Sequence, residues 1–320
     1  MSTSNFYFAC VPHVPLQNLQ AKAQNAEAWA AYDARVAELD AFDPELIVVF
    51  GSDHYSSLYL KLAPTFLIGH IAEATSADRG GTGGKLDVPR PLSTRLHAAL
   101  TDNGFDLAAS YAMTVDHGFS NVLGHFLHGN LSARPVIPIF ISSLWAPRAT
   151  MKRCRELGEA VGRWARGLGK RVAFLGSGGL SHSTDFLFPQ YDTAPDEAMR
   201  TFIVHGAAGG TISDEKWHGE LGTSIDKLSR DLVSGKFVVP WINKKLDMDF
   251  LQLLVSSDLS QLDAWTDDYI IEHGGSGASE IRNWLAAAAA GRAAGAVHAS
   301  LDYYSDKTTV AVGYGVAHGA

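Results

Sequence analysis

The sequence predicts a single α/β domain over residues 1–320: a mostly parallel or mixed central sheet, flanked by helices, with a helical C-terminal part. Three observations predict it. Continuous apolar runs recur at residues 6–11, 45–50, 135–141 and 171–175, and such runs read as strands covered on both faces. Longer stretches with helical spacing separate them, as in a sheet sandwiched between helix layers. No repeat, low-complexity tract or Pro/Ser-rich linker divides the chain.

Taken in order, the strand at residues 6–11 ends at Pro12-His13. Residues 17–41 place Trp29, Tyr32, Val36 and Leu39 at helical spacing and are expected to form one long amphipathic helix, stopped by Asp43-Pro44. The strand at 45–50 runs into Gly51-Ser52-Asp53-His54. Residues 59–68 are a further strand candidate, bent at Pro64. The glycines of residues 79–84 suit the hinges of a lid. Residues 91–103 read as a helix with Gly104 as its C-cap. The apolar run 107–113 leads through Asp116-His117-Gly118 into a helix at 120–128. A helix at 149–168 follows the next strand, with Gly158 and Gly162 tolerated inside it. The strand at 171–175 leads into Gly176-Ser177-Gly178-Gly179-Leu180-Ser181-His182. Residues 195–205, 214–233, 247–256 and 278–294 read as helices, and 308–314 as a final strand.

Composition narrows the function classes. A net charge of −8 argues against a nucleic-acid or anionic-membrane surface. Two cysteines, Cys10 and Cys154, make no disulfide framework, and no basic leader precedes the first strand, so a cytoplasmic location is expected. The alanine-rich residues 284–297 are interrupted by Gly291, Arg292 and Gly295, which suits a helix and not a membrane span.

Three strand candidates end in a histidine: His13, His54 and, after a glycine turn, His182; His117 follows a fourth. In open α/β sheets the functional crevice lies outside the carboxyl ends of the strands, so these four rings are candidates to converge. Asp116 is placed to fix the tautomer of His117. Weaker signals read more simply. Cys10 and His13 have no matching zinc half-site elsewhere. His125 and His128 at i, i+3 suit a shared metal or, more commonly, a solvated helix face. The 176–182 turn lacks the glycine at Ser181 that a dinucleotide fingerprint needs. It also lacks the glycine at Leu175 that a nucleophile elbow around Ser177 needs, which leaves a tight turn presenting His182.

In this order, Pro12-His13, Ser52-Asp53-His54-Tyr55, Val115-Asp116-His117-Gly118-Phe119, the 176–182 turn and Ser279-Glu280-Ile281 resemble the class III extradiol ring-cleavage dioxygenases. The likeness runs from residue 6 to about residue 300; each motif is modest alone, and five in order are specific. The resemblance implies one α/β domain and one Fe(II) held by His13, His54 and Glu280, the two-histidine, one-carboxylate arrangement of non-haem iron oxygenases. Spacing alone does not single out Glu280, since Glu272 beside His273 is as good a choice without the motif. The resemblance further implies catalytic roles for His117 and His182, with Asp116 beside the first. His117 is assigned as proton donor and His182 as acceptor; the reverse, or an exchange during the cycle, stays open. The implied substrates are O2 and a substituted catechol, such as 3-(2,3-dihydroxyphenyl)propionate, cleaved to a 2-hydroxymuconate semialdehyde-type product in aromatic catabolism. A homo-oligomer is expected.

Some segments depart from the family pattern. Ser52 stands where a proline is usual, and Ser183-Thr184-Asp185 replaces Gln-Pro-Pro. Pro240-Trp241-Ile242-Asn243-Lys244-Lys245 replaces an Asn-Pro-x-Trp-Asp stretch. These segments are candidates to line the substituent pocket, and Lys244 or Lys245 to pair with a substrate carboxylate, unless they are simply solvated. Competing readings are an extradiol dioxygenase for a gallate, protocatechuate or aminophenol ring, a hydrolase using a metal or Ser177, and a non-catalytic binding protein on the same fold.

Overall fold

The computed structural model describes residues 4–239 and 241–320; Met1, Ser2, Thr3 and Pro240, and the readings that touch them, lie outside the described residues. The strands are β1 (Phe6–Val11), β2 (Leu46–Gly51), β3 (Phe66–Gly69), β4 (Ala72–Ala74), β5 (Gly84–Lys85), β6 (Ala108–Ser110), β7 (Met113–Val115), β8 (Val136–Ile141), β9 (Val172–Ser177), β10 (Ala299–Ser305) and β11 (Tyr314–Gly319). The helices are α1 (Pro15–Leu19), α2 (Ala26–Phe42), α3 (Arg90–Asp102), α4 (His117–Phe126), α5 (Met151–Arg166), α6 (Glu197–His205), α7 (Asp214–Val233), α8 (Lys244–Val255), α9 (Asp267–Gly274) and α10 (Ile281–Ala294).

Eight strands form the central sheet in the order β10-β11-β1-β9-β2-β8-β3-β6, and β5-β4-β7 form a small second sheet. β1, β9, β2 and β8 run parallel, while β11, β10 and β3 are antiparallel to neighbours, so the sheet is mixed. The apolar runs are continuous because both faces are covered. Tyr7, Ala9, Val49 and Leu175 share a core with Tyr32 of α2 and Phe119 and Val122 of α4. Their alternates Phe8, Cys10, Val48 and Phe174 pack with Leu157 and Val161 of α5 and Trp284 and Ala288 of α10. A Cβ on Gly158 or Gly162 would lie 2.2 Å from the carbonyl oxygen of Ala286 or Ala290, so these glycines are what lets α5 cross α10 backbone to backbone. The alanine stretch is that crossing, and no described helix is long and apolar enough to span a membrane.

Four readings are corrected. Residues 17–41 do not form one helix: α1 ends at Leu19, a short 3-10 turn covers Lys22–Asn25, and α2 follows. Extended Gln20 causes the break, because its side chain is bonded to Thr309 at both ends, Nε2 to the carbonyl at 2.8 Å and Oε1 to the hydroxyl at 2.6 Å. Residues 59–68 divide into a 3-10 turn (Leu60–Leu62) and β3 on either side of Pro64. Residues 107–113 supply β6 to the main sheet and begin β7 of the small one, so His117 leaves the small sheet. Residues 308–314 are mainly a loop between β10 and β11; Val310 and Val312 are apolar because they are buried from that loop, not because they pair in a sheet. α9, β10 and most of β11 carry no clear local signal.

Candidate active site

The parallel register brings the site together. Val11 pairs with Ser177 and Phe50 with Gly176, so β1, β9 and β2 stop along one edge. His13, His54 and the turn to His182 leave from there. α4 starts beside them because a Cβ on Gly118 would lie 2.2 Å from the Ser52 carbonyl oxygen. The four rings converge: His13 stands edge-on to His54 at 5.3 Å and to His117 at 5.5 Å, and His54 stacks on His117 at 4.1 Å. Glu280 joins them from the end of the 3-10 turn Ser276–Glu280, just before α10. Its Oε1 lies 3.0 Å from His13 Nε2 and 3.2 Å from His54 Nε2, and its Oε2 lies 3.9 Å from His182 Nε2. All five side chains are buried, whereas Glu272 is exposed.

The hydrogen bonds assign the tautomers. The Ser177 hydroxyl donates to the Gly118 carbonyl at 2.6 Å, so its oxygen can only accept from His13 Nδ1–H at 3.0 Å. His54 Nδ1–H points at the Asp116 carboxylate, 3.2 Å away. His182 Nδ1–H donates to the Leu180 carbonyl at 2.8 Å, and His117 Nδ1–H to Asp78 at 2.9 Å. Each ring thus turns its Nε2 inward. A carboxylate oxygen then meets the inward Nε2 atoms of His13 and His54, a meeting that needs a positive charge between them: a metal cation or, on His54, a second ring proton. Separations near 3 Å are those of an octahedral edge, about √2 times a metal–ligand bond of about 2.1 Å. The residues present therefore fit a divalent metal held by His13, His54 and Glu280.

Electrostatics agrees with this reading. Burial alone would raise the Glu280 carboxyl, but His13, His54 and His182 hold it well below the usual range. Burial pushes His13 down, toward the neutral ring a metal requires. Burial also disfavours charge on His54, yet Asp116 and Glu280 outweigh it and raise that ring, so a positive charge belongs at its position. His13, His54 and His117 also bring donor atoms within 4.8 Å of one another, as do Asp78, Asp116 and His117. The set with Glu280 fits better, because it alone puts an anion against both inward-facing nitrogens.

The carboxylates are exchanged relative to the sequence reading. Asp116 does not hold the His117 ring: it N-caps α4 through Gly118 N–H (2.8 Å) and accepts the His54 N–H (2.7 Å) and the His54 ring. Asp78 binds the His117 ring and also its backbone N–H. No local pattern marked Asp78, which precedes the 79–84 loop. That loop is tied down by Asn18 Nδ2 to Gly80 O (2.6 Å) and Arg79 to Asp226 (2.9 Å). Asp53, next to His54, is pushed up to about 8 by burial and by Asp116, although the Ser56, Ser57 and Leu58 N–H groups point at it. Tyr55 takes a left-handed backbone (φ 58°) and stacks on Trp145, which makes the tight exit from His54 possible.

Other candidates separate from the site. His125 meets Asn18 and His128 meets Asp40, so the pair shares nothing. Cys10 Sγ lies 3.5 Å from the Trp284 carbonyl, in the core that packs against α5 and α10. Ser177 is fully buried with its hydroxyl committed, which removes it as a nucleophile. Lys244 and Lys245 are exposed on α8, and Lys245 pairs with Asp249. Ser183 and Thr184 do line the cleft beside the rings.

Comparison with known proteins places this geometry. Residues 7–317 match the family described as the catalytic LigB subunit of aromatic ring-opening dioxygenase. The chain belongs to this family. Within the family, curated relatives named 2,3-dihydroxyphenylpropionate/2,3-dihydroxicinnamic acid 1,2-dioxygenase include one from Mycolicibacterium paratuberculosis, 36% identical over 311 residues and covering 96% of each chain. One from Azotobacter vinelandii is 38% identical over 319 residues, again 96% of each chain. One from a Rhodococcus species is 38% identical over 287 residues, 90% of this chain and 88% of its own. This LigB-family chain is an extradiol ring-cleaving dioxygenase of catechol-type rings.

Proposed function

We propose that His13, His54 and Glu280 hold Fe(II), and that His117 and His182 move protons around a catechol whose ring is opened with both atoms of O2. The observation that carries this reading is the meeting of the inward-facing Nε2 atoms of His13 and His54 with the Glu280 carboxylate at 3.0 and 3.2 Å. Bound there, iron supplies the electron transfer between the ring and O2. The protein supplies the rest. His182, its Nδ1–H taken by a neutral carbonyl, offers Nε2 to accept a catechol hydroxyl proton. His117 has an anion, Asp78, on its far nitrogen, so the ring could take a second proton from solvent on Nε2 and would deliver it to a reacting oxygen. Phe188, its ring centroid 5.0 Å from that of His54, adds an apolar wall beside the reacting groups.

Anaerobic purification with Fe(II), then addition of a catechol and O2, tests the proposal. A yellow ring-fission product and one O2 consumed per catechol are expected. Absence of O2 uptake with every catechol offered would overturn it. Manganese loading in parallel checks the identity of the metal.

A further inference from the structure

The cleft has a second half that the ring chemistry does not use. Beyond the histidines it is walled by Leu16 of α1, Leu187, Ile225 and Leu228 of α7, and Val310 and Val312 of the loop before β11. Among the described residues that line it, none is Lys or Arg, and the titratable groups are the four histidines and Glu280. The polar groups present are committed elsewhere: Thr184 bonds Ser276 through both its N–H (3.1 Å) and its hydroxyl (3.2 Å). Outside, past Phe186 and Leu228, the adjoining groove carries Asp185, Asp231 and Lys227. The Lys227 ammonium is taken by Asp231 at 2.6 Å, which leaves that groove with one unbalanced negative charge.

We propose, on the dioxygenase reading above, that the ring substituent of the natural catechol is an uncharged apolar group, alkyl or aryl, and not the carboxylate-bearing chain after which the relatives are named. A carboxylate in this wall would lose its water without gaining a cation, and one reaching the groove would meet Asp185. An alkyl chain instead gains about fourfold in affinity for each methylene it buries. The wall and the proton-transfer group are coupled in the chain, because the segment from Ser183 to Phe188 follows His182 directly.

The test compares 3-butylcatechol with 3-(2,3-dihydroxyphenyl)propionate. Affinity is read by calorimetry on the Fe(II)-loaded protein without O2, and kcat/KM with O2. The alkyl compound is expected to be favoured at least tenfold in both. Leu228→Lys is expected to narrow that ratio by improving the propionate. Equal or better binding of the propionate by the unaltered protein, or a ratio that Leu228→Lys fails to narrow, would overturn the proposal. The affinity ratio is read without turnover, so failure to cleave any catechol strikes the dioxygenase reading and leaves this one to be decided by binding.

Discussion

The two halves of the cleft are built differently. The polar half is made of side chains leaving strand ends and a helix start, each oriented by a named partner: Ser177 for His13, Asp116 for His54, Asp78 for His117, Leu180 O for His182, and Gly179 N–H for Glu280 at 2.7 Å. The apolar half is made of α1, α7 and two loops, and its side chains, having no polar groups to bond, are positioned by packing. Hydrogen bonds impose direction, whereas dispersion and burial impose only shape and volume. Substitutions in the polar half should therefore act on metal retention and turnover, and those in the apolar half on which substrate is preferred.

The largest effect is expected for Glu280→Ala, with His13→Ala close behind. Metal content by elemental analysis should fall to background and turnover with it, with the fold kept by circular dichroism. Full occupancy in these variants would break the comparison at its strongest point. Next come His117→Phe and His182→Phe. Each should keep its metal and lose about 10²–10⁴-fold in kcat, the usual range for a general acid or base. Turnover unchanged in both would remove the proton-transfer assignment.

The two aspartates sharpen the picture further. Asp116→Asn should weaken metal binding about 10–100-fold, because it orients a proposed ligand. Asp78→Asn should leave metal binding intact and lower kcat by about tenfold or more, through the orientation of His117. Identical phenotypes would mean that the pairing of carboxylates does not matter. The smallest effect belongs to the wall: Leu228→Ala should raise KM for 3-butylcatechol less than about tenfold with kcat held, since it removes substrate contact and not chemistry. A large fall in kcat there would show that the two halves are not separable.

Much of this was readable before the fold was known. β1, the boundaries of α7 and the strands β2, β8 and β9 follow from apolar runs and helical spacing, which are local properties of the chain. So is the exit of His13, His54 and His182 from strand ends, and the parallel register then obliges them to share an edge. Residues 308–314 misread as a strand for a physical reason: an apolar run reports burial, and a loop closing over a cleft is buried too. The broken helix at Gln20 misread because its cause, Thr309, lies at the other end of the chain.

The sequence by itself determined the layered α/β architecture and which histidines stand at the active edge, because periodicity and strand ends are encoded within a few residues of one another. Only the tertiary structure decided that Asp116 serves His54, that Asp78 serves His117, that Glu280 faces both inward nitrogens, and that the substituent wall is apolar. Those facts depend on atoms brought within about 3 Å from distant parts of the chain, and no local pattern records which of several carboxylates will arrive.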